Sequence, residues 1–331
     1  MATTLKKRGL PYKVTFLLFL WMAVMLMYVC LIMEPSNIAN DGEGKLKYLP
    51  RRLSGPPQKE TSTSSLPLHF ELKPINGTNV TILHNAVPKT GSRTLELFLR
   101  LLGTRRMSLL HCYTFPPNIS KNADQIRDFV GSMKQGSYTR GHFPFTNVSR
   151  WYSNTRYINI VRPPIQRLLS NYYYDLYGDK QQNQSPSFHE PTLDECLEKE
   201  VCFIKVYSYY KQTTLRTFCG QDPRCNQYTR WTLEKAIENA RKYLFIGVTN
   251  QLNESISILE TLLPDLFNGL TKLFLAGSGQ VTSDFKTVKK MQLQNKSLEF
   301  LQRDMDLEFE FYQFVLNGFN RALTELMLKR K

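Results

Sequence analysis

The chain has 331 residues, 42% of them hydrophobic, and a formal net charge of +15 at neutral pH. That is enough apolar material for one folded domain of roughly 250 residues plus accessory segments. The basic balance points to an anionic small molecule, an anionic polymer or both; nucleic acid suits the charge but not the compartment that the rest of the sequence indicates.

Four basic residues, Lys6, Lys7, Arg8 and Lys13, precede a 20-residue run, Val14 to Met33, in which only Thr15 is clearly polar. The run is long enough to cross a bilayer as a helix, and the next basic residue is Lys45. A cleaved signal peptide has a shorter apolar core ending in small residues, whereas this run stays bulky through Leu31, Ile32 and Met33. The charge asymmetry keeps the N-terminus cytoplasmic and predicts a single-pass type II protein. Residues 1–13 then form a cytoplasmic tail and 14–33 a signal-anchor. Residues 34–66, rich in Pro, Ser, Thr, Gly and Lys, form a luminal stem, and 67–331 the folded domain.

Seven N-x-[ST] sequons lie beyond the anchor, at Asn76, Asn79, Asn118, Asn147, Asn183, Asn253 and Asn295, as suits a luminal domain. Cys30 lies within the apolar run. Cys196 with Cys202 and Cys219 with Cys225 are two pairs of equal, short spacing, and in an oxidising compartment two small disulfide loops are the economical assignment. A zinc site is the rival, against which stand the long C-x₅-C spacings and the secretory setting. Cys112 is left over as a buried thiol.

From Val80 a short β-branched run ends in V-P-K-T-G-S-R-T and turns into an apolar helix pattern. N–H groups in a helix's first turn lack intrahelical partners and, with the positive end of the dipole, face whatever sits in the loop. Lys89 adds a charge, and Thr90, Ser92 and Thr94 add hydroxyls, so the segment suits a phosphate or sulfate; a well-capped turn is the plainer alternative. It is not a nucleotide triphosphatase loop, because Lys89 precedes Gly91 instead of following it. A second unit of the same kind follows: Tyr157–Val161 reads as a strand, closed by Arg162, and Pro163 and Pro164 open a helix that carries Ser170 two turns in. Arg162 thus falls at the carboxyl end of a strand, where open α/β sheets hold ligands. Between the units, His142 in R-G-H-F-P-F is a candidate general base, with His84 and His111 as competitors, since an imidazole is suited to removing a proton from a sugar hydroxyl. The pattern predicts an α/β domain with a central parallel sheet flanked by helices. It closes with one long amphipathic helix carrying Leu298, Leu301, Met305, Phe309, Tyr312, Leu316, Phe319, Leu323 and Leu326.

Taken together, V-P-K-T-G-S-R-T, the G-H at 141–142, Y-I-N-I-V-R-x-P-I-x-R-L-L-S-N-Y-Y, Y-G-D at 177–179, D-E-C at 194–196 and F-C-G-Q-D-P-R-C at 218–225 resemble the Golgi uronyl 2-O-sulfotransferases. That group includes the heparan sulfate and dermatan/chondroitin enzymes and the Pipe proteins. The resemblance implies a P-loop-like sulfotransferase fold in a Golgi membrane protein with a luminal catalytic domain. It also implies transfer of a sulfuryl group from 3′-phosphoadenylyl sulfate, without a metal, to the 2-hydroxyl of a uronic acid in a glycosaminoglycan. By that resemblance Lys89, Thr90, Gly91, Ser92, Arg93 and Thr94 hold the 5′-phosphosulfate, and Arg162 and Ser170 hold the 3′-phosphate. Thr287, Lys289 and Lys290 add donor contacts, and His142 is the base. It further supports Cys196–Cys202 and Cys219–Cys225, and suggests a homotrimer.

The departures from the family pattern fall on the acceptor side. Ala86 stands where heparan-acting members carry an Arg, Arg140 where they carry another His, and Pro163 replaces an acidic residue. The segment after Gly178 lacks a run of arginines. The acceptor expected is heparan sulfate, dermatan/chondroitin sulfate or a glycoprotein glycan. The alternative is a catalytically weak glycan-binding protein derived from a transferase.

Overall fold

In the computed structural model the chain divides into residues 1–60 and 61–331. The structure describes residues 66–105, 110–116, 122–178, 192–198, 207–284, 287 and 290–329, all within the second unit. The predicted anchor and nearly all of the stem lie outside the described residues, as do Asn118, Asn183, Cys202 and Lys289.

Five strands form one parallel sheet: β1 (Thr81–Asn85), β2 (His111–Thr114), β3 (Ser137–Gly141), β4 (Thr155–Val161) and β5 (Phe245–Val248), in the order β2-β3-β1-β4-β5. All five residues of β1 and all four of β5 are buried, which is why β5 reads as an unbroken F-I-G-V run and why the two polar residues that end β1, His84 and Asn85, have buried hydrogen-bond partners. The described helices are α1 (Ser92–Arg105), α2 (Ala123–Ser132), α3 (Pro164–Tyr177), α4 (Leu193–Glu198), α5 (Ser208–Lys211) and α6 (Thr213–Cys219). They continue as α7 (Arg230–Ala240), α8 (Leu252–Leu262), α9 (Pro264–Phe267), α10 (Leu270–Asp284), α11 (Asn295–Asp304) and α12 (Asp306–Lys329). Helices α8 and α12 pack on β5 and α1 packs on β2, so both edge strands have helical cover. The expected α/β architecture with a central parallel sheet flanked by helices is what the chain adopts.

The chain runs from β1 to one side, through β2 and β3, and then crosses to the other side of β1 to place β4. The strand order therefore reverses between β1 and β4, at the crevice where doubly wound sheets bind ligands beyond their carboxyl ends. A buried polar network fixes that junction. Asn159 Nδ2 donates to the Asn85 carbonyl at 2.7 Å and to Asn85 Oδ1 at 3.1 Å, and the Tyr243 hydroxyl donates to the same Oδ1 at 2.9 Å.

The C-terminal segment departs from expectation. It is not one helix but two, because α11 ends at Asp304, Met305 caps it and α12 starts afresh at Asp306. The Tyr228 hydroxyl accepts the Leu307 and Glu308 N–H groups at 2.9 and 3.2 Å, satisfying two donors of the new first turn. The buried face of α12 is also rotated from the expected stripe: Glu308, Phe311, Val315, Gly318, Phe319, Ala322 and Leu326 are buried, while Tyr312, Leu316 and Leu323 are only partly so. Gly318 lets the helix meet the entering chain, since a Cβ there would lie 2.9 Å from the Leu68 side chain. The Leu68 and Phe70 side chains are 2% exposed, so the packed core takes in the chain from Leu68 onward.

Glu308 is on the inward face because Arg167 meets it. Both side chains are buried, at 0% and 1% exposure, with Arg167 Nη2 3.8 Å from Glu308 Oε2. Glu308 Oε1 accepts the Leu215 N–H at 2.9 Å and Arg167 Nη2 donates to the Tyr210 carbonyl at 2.6 Å, so the pair ties α3, α5, α6 and α12 together. Burial pushes the Glu308 carboxyl up and the guanidinium down, and each charge opposes the other's shift. Removing one partner strands the other charge in the interior. Glu308→Ala is therefore expected to cost about 3–5 kcal/mol of stability, read as a lower urea midpoint in equilibrium unfolding.

Candidate active site

The loop after β1 closes on itself before it can hold anything else. Thr90 Oγ1 donates to the Val87 carbonyl at 2.8 Å, the Thr249 hydroxyl beyond β5 reaches the Thr90 and Val161 carbonyls at 2.9 and 3.0 Å, and Arg162 Nη1 donates to the Lys89 carbonyl at 3.2 Å. The two anion loops expected from the sequence are thus one structure, stitched through three strand ends. With its hydroxyl donating to Val87 and its side chain fully buried, Thr90 shapes the loop from within. Gly91 takes φ +84°, and Lys89 takes φ +66°, a left-handed conformation that costs a non-glycine residue of order 1 kcal/mol. Helix α1 then begins at Ser92 with no acidic side chain in its first turn, leaving its positive end to the loop.

Around this loop the expected donor residues converge. Lys89 Nζ lies 3.5 Å from the centre of the Tyr174 ring, and Arg93 Nη1 donates to the Tyr174 hydroxyl at 3.4 Å. Tyr174 on α3 therefore gathers both cations against one aromatic face. Ser92 and Thr94 are buried at the helix start. Ser170 Oγ and Thr287 Oγ1 are hydrogen-bonded at 3.0 Å although 117 residues apart, which places Thr287 beside Ser170. Lys290 is exposed, and Lys289 lies outside the described residues.

Arg162 suits an anion. Its Nε is buried with no hydrogen-bond partner among the described residues, and burial together with the Arg167 charge lowers its pKa. A desolvated guanidinium beside a second cation is relieved by an anionic oxygen, so the residues present fit a phosphate-bearing donor.

His142 is exposed just beyond β3, and its Nδ1 lies 2.8 Å from the Ala86 carbonyl, in the segment leading to Lys89. A carbonyl only accepts, so Nδ1 carries the proton and the neutral ring presents its lone pair at Nε2. The competitors are differently placed. His111 is the first residue of β2, at the amino end of the strands, and His84 is fully buried with Nδ1 2.8 Å from the Tyr138 hydroxyl. Burial, with Arg140 and His142 nearby, pulls His84 down to about 3, so it stays neutral. Ala86, fully buried, contributes the carbonyl that orients His142. Arg140 is paired with Glu96, which also binds Arg100 at 2.7 Å, so this arginine is held by a shared carboxylate beside the site.

Tyr174, Thr249, Asn85 and Asn159 were not visible in the sequence as site residues. Tyr174 sits in a Tyr-Tyr-Tyr run that reads as core, and Thr249 follows a strand with no motif around it. Of the cysteines, Cys219 and Cys225 form the expected disulfide, which removes that pair from any zinc site. Cys196 is buried, and the partner expected for it, Cys202, lies outside the described residues. Cys112 is half-buried, not fully buried, with its thiol pushed up to about 11 by desolvation. Asn76, Asn79, Asn253 and Asn295 are exposed and Asn147 is partly so.

This strand-end site belongs with a matching family model: residues 75–315 match the model of the sulfotransferase family, and the chain belongs to that family. Among relatives, human uronyl 2-sulfotransferase is 30% identical over 267 residues, covering 76% of this chain and 63% of its own length. Heparan sulfate 2-O-sulfotransferase 1 of Gallus gallus is 31% identical over 258 residues, covering 73% of this chain and 71% of its own, and that of Homo sapiens is 30% identical over 257. The chain thus spans just under two thirds of the uronyl relative.

The buried neutral His84 makes stability depend on pH. Its folded pKa lies below the unfolded value near 6.5, so its contribution is complete above that value and is lost as pH falls toward 3, by up to about 1.4 kcal/mol per pH unit. His84→Gln is expected to flatten the fall in urea midpoint between pH 6.5 and pH 4.5; an unchanged slope would assign that fall to other groups.

Proposed function

We propose that this protein is a Golgi sulfotransferase. On this reading it moves a sulfuryl group from 3′-phosphoadenylyl sulfate to the 2-hydroxyl of a uronic acid in a glycosaminoglycan or related glycan. The observation that carries the reading is the His142–Ala86 hydrogen bond, which tethers a base with its lone pair at Nε2 to the segment that becomes the Lys89 loop. The similarity to uronyl 2-sulfotransferase and heparan sulfate 2-O-sulfotransferase 1 supports the acceptor class. The apolar run 14–33 with its basic flank and the luminal-type sequons support a single-pass type II protein with residues 14–33 as anchor.

In this reading the loop amides at 90–94, Ser92, Thr94 and Lys89 hold the 5′-phosphosulfate, and Arg162, Ser170 and Thr287 hold the 3′-phosphate, with Arg93, Lys289 and Lys290 nearby in sequence or space. The donor supplies an activated sulfuryl group and a good leaving phosphate. His142 takes the proton from the attacking hydroxyl through Nε2, while the Ala86 carbonyl stabilises the imidazolium that results. Lys89 and the helix amides would stabilise the charge that develops on the leaving oxygen of the bound donor. Tyr174 holds Lys89 in place by its ring face. Thr249 keeps the loop closed against β5.

The test is sulfate transfer from radiolabelled donor to a panel of desulfated heparin, chondroitin, dermatan and glycoproteins. His142→Ala is expected to lower turnover by about 10²-fold or more with binding of adenosine 3′,5′-bisphosphate unchanged. Lys89→Ala is expected to weaken that binding as well. Transfer that persists in His142→Ala overturns the base. Nucleotide binding with no transfer to any acceptor supports instead a glycan-binding protein derived from a transferase, a reading that the absence of an acceptor arginine at Ala86 favours.

A further inference from the structure

A groove of about 640 Å³ opens at the end of the sheet opposite the loop site. Arg156, the second residue of β4, and Leu244, which directly precedes β5, line it, so it lies at the amino ends of the strands. Lys89 and Arg162 follow the carboxyl ends of β1 and β4. Arg156 and Arg162 are six residues apart on an extended chain, roughly 20 Å. The groove is therefore spatially separate from the donor site.

Its lining is cationic: Lys73, Arg156, Arg241 and Lys242 against the single acid Glu71, with His69 beside them. Lys242 is paired with Glu238 at 2.9 Å. Lys73, Arg156 and Arg241 have no carboxylate within ion-pair distance among the described residues. The structure holds them there by other means. Arg156 Nη1 donates to the Ser153 and Thr155 carbonyls at 2.6 and 2.9 Å, and Arg241 donates to the Leu66 and Pro67 carbonyls, which leaves their charge uncompensated. Such a set repels itself until an anion enters. Between the cations, Tyr243 and Leu244 give the groove an apolar floor, which suits the C–H face of a sugar ring better than a small inorganic ion.

We propose that this groove is a second binding site for a sulfated or carboxylated oligosaccharide, remote from the donor loop. It retains a polyanionic glycan on the protein and raises its local concentration at the far end of the sheet. The identity of the polymer as a glycan rests on the proposed function; the existence of the site does not.

The test measures binding of a fluorescent heparin-derived octasaccharide to the full-length chain in nonionic detergent, with adenosine 3′,5′-bisphosphate present at saturation. Lys73→Glu combined with Lys242→Glu, both exposed, is expected to weaken binding about tenfold and to make it less salt-dependent. Arg156→Gln, which keeps hydrogen-bonding capacity, is expected to weaken it less. Lys134→Glu with Lys272→Glu, the same charge change on exposed residues outside the groove, is expected to leave it within about twofold. Equal loss in both double variants would reduce the effect to net charge and overturn the site. Loss in Lys89→Ala with none in the groove variant would place the glycan at the donor loop and overturn it too. Phosphatidylserine vesicles that displace the octasaccharide and bind more tightly would overturn the glycan in favour of a lipid surface. Nucleotide binding, followed separately in every variant, reports on the proposed transferase site, so that the two readings fail independently.

Discussion

Everything at the functional end of this protein depends on two neighbouring parallel strands being locked at one register. Strand β1 pairs with β4 from Thr81↔Thr155 to His84↔Ile158, and just beyond that ladder the Asn85 and Asn159 amides bond each other beneath the Tyr243 hydroxyl. A buried amide left without partners costs roughly 1–3 kcal/mol, so a slip by one residue would forfeit several such bonds at once. Because the register is fixed there, the loops that leave the two strands meet. Arg162 reaches the Lys89 carbonyl, and Thr249 from β5 reaches carbonyls of both loops. What reads in sequence as two anion units is in space one cradle with three walls.

That cradle gathers positive charge and keeps it directed. No acid stands in the first turn of α1, the Lys89 ammonium is held on the Tyr174 ring, and the buried Nε of Arg162 has no partner among the described residues. The nearby excess of charge is handled differently: Arg140 and Arg100 share Glu96, and Arg167 is matched by Glu308 in the interior. The cations beside or behind the site are each held by a carboxylate, whereas Arg162 at the site is not. At the opposite end of the sheet Lys73, Arg156 and Arg241 are again left without carboxylates, which is why charge and not shape marks that groove as a second candidate for binding.

The chemical types at the site were legible because they are local. A strand ending at V-P-K-T-G-S and another ending at V-R-P-P carry their turn residues and helix starts within a few positions, and the helices do begin at Ser92 and Pro164. His142 was one candidate among three by sequence. The structure separates them by burial and by strand end, since His84 is enclosed beside Tyr138 and His111 lies at the amino ends. The C-terminal helix was read too simply. Spacings of three and four continue across Met305, but the Tyr228 hydroxyl caps a new first turn there, and no periodicity reports a cap supplied from 79 residues away.

By itself the sequence determined the strand–turn–helix units, the cationic and hydroxyl groups they carry and the parallel α/β class, because dihedral preference, turn chemistry and apolar period act over a few residues. Only the tertiary structure decided that the two units share one site, that Thr287 bonds Ser170 and Tyr174 holds Lys89, and that Ala86 serves through its carbonyl. It also decided that the cations from residue 73 and from residues 156 and 241 line one groove. The reason is that strand order and helix rotation are settled by burial and hydrogen-bond satisfaction between segments far apart in the chain, which leave no period in the sequence.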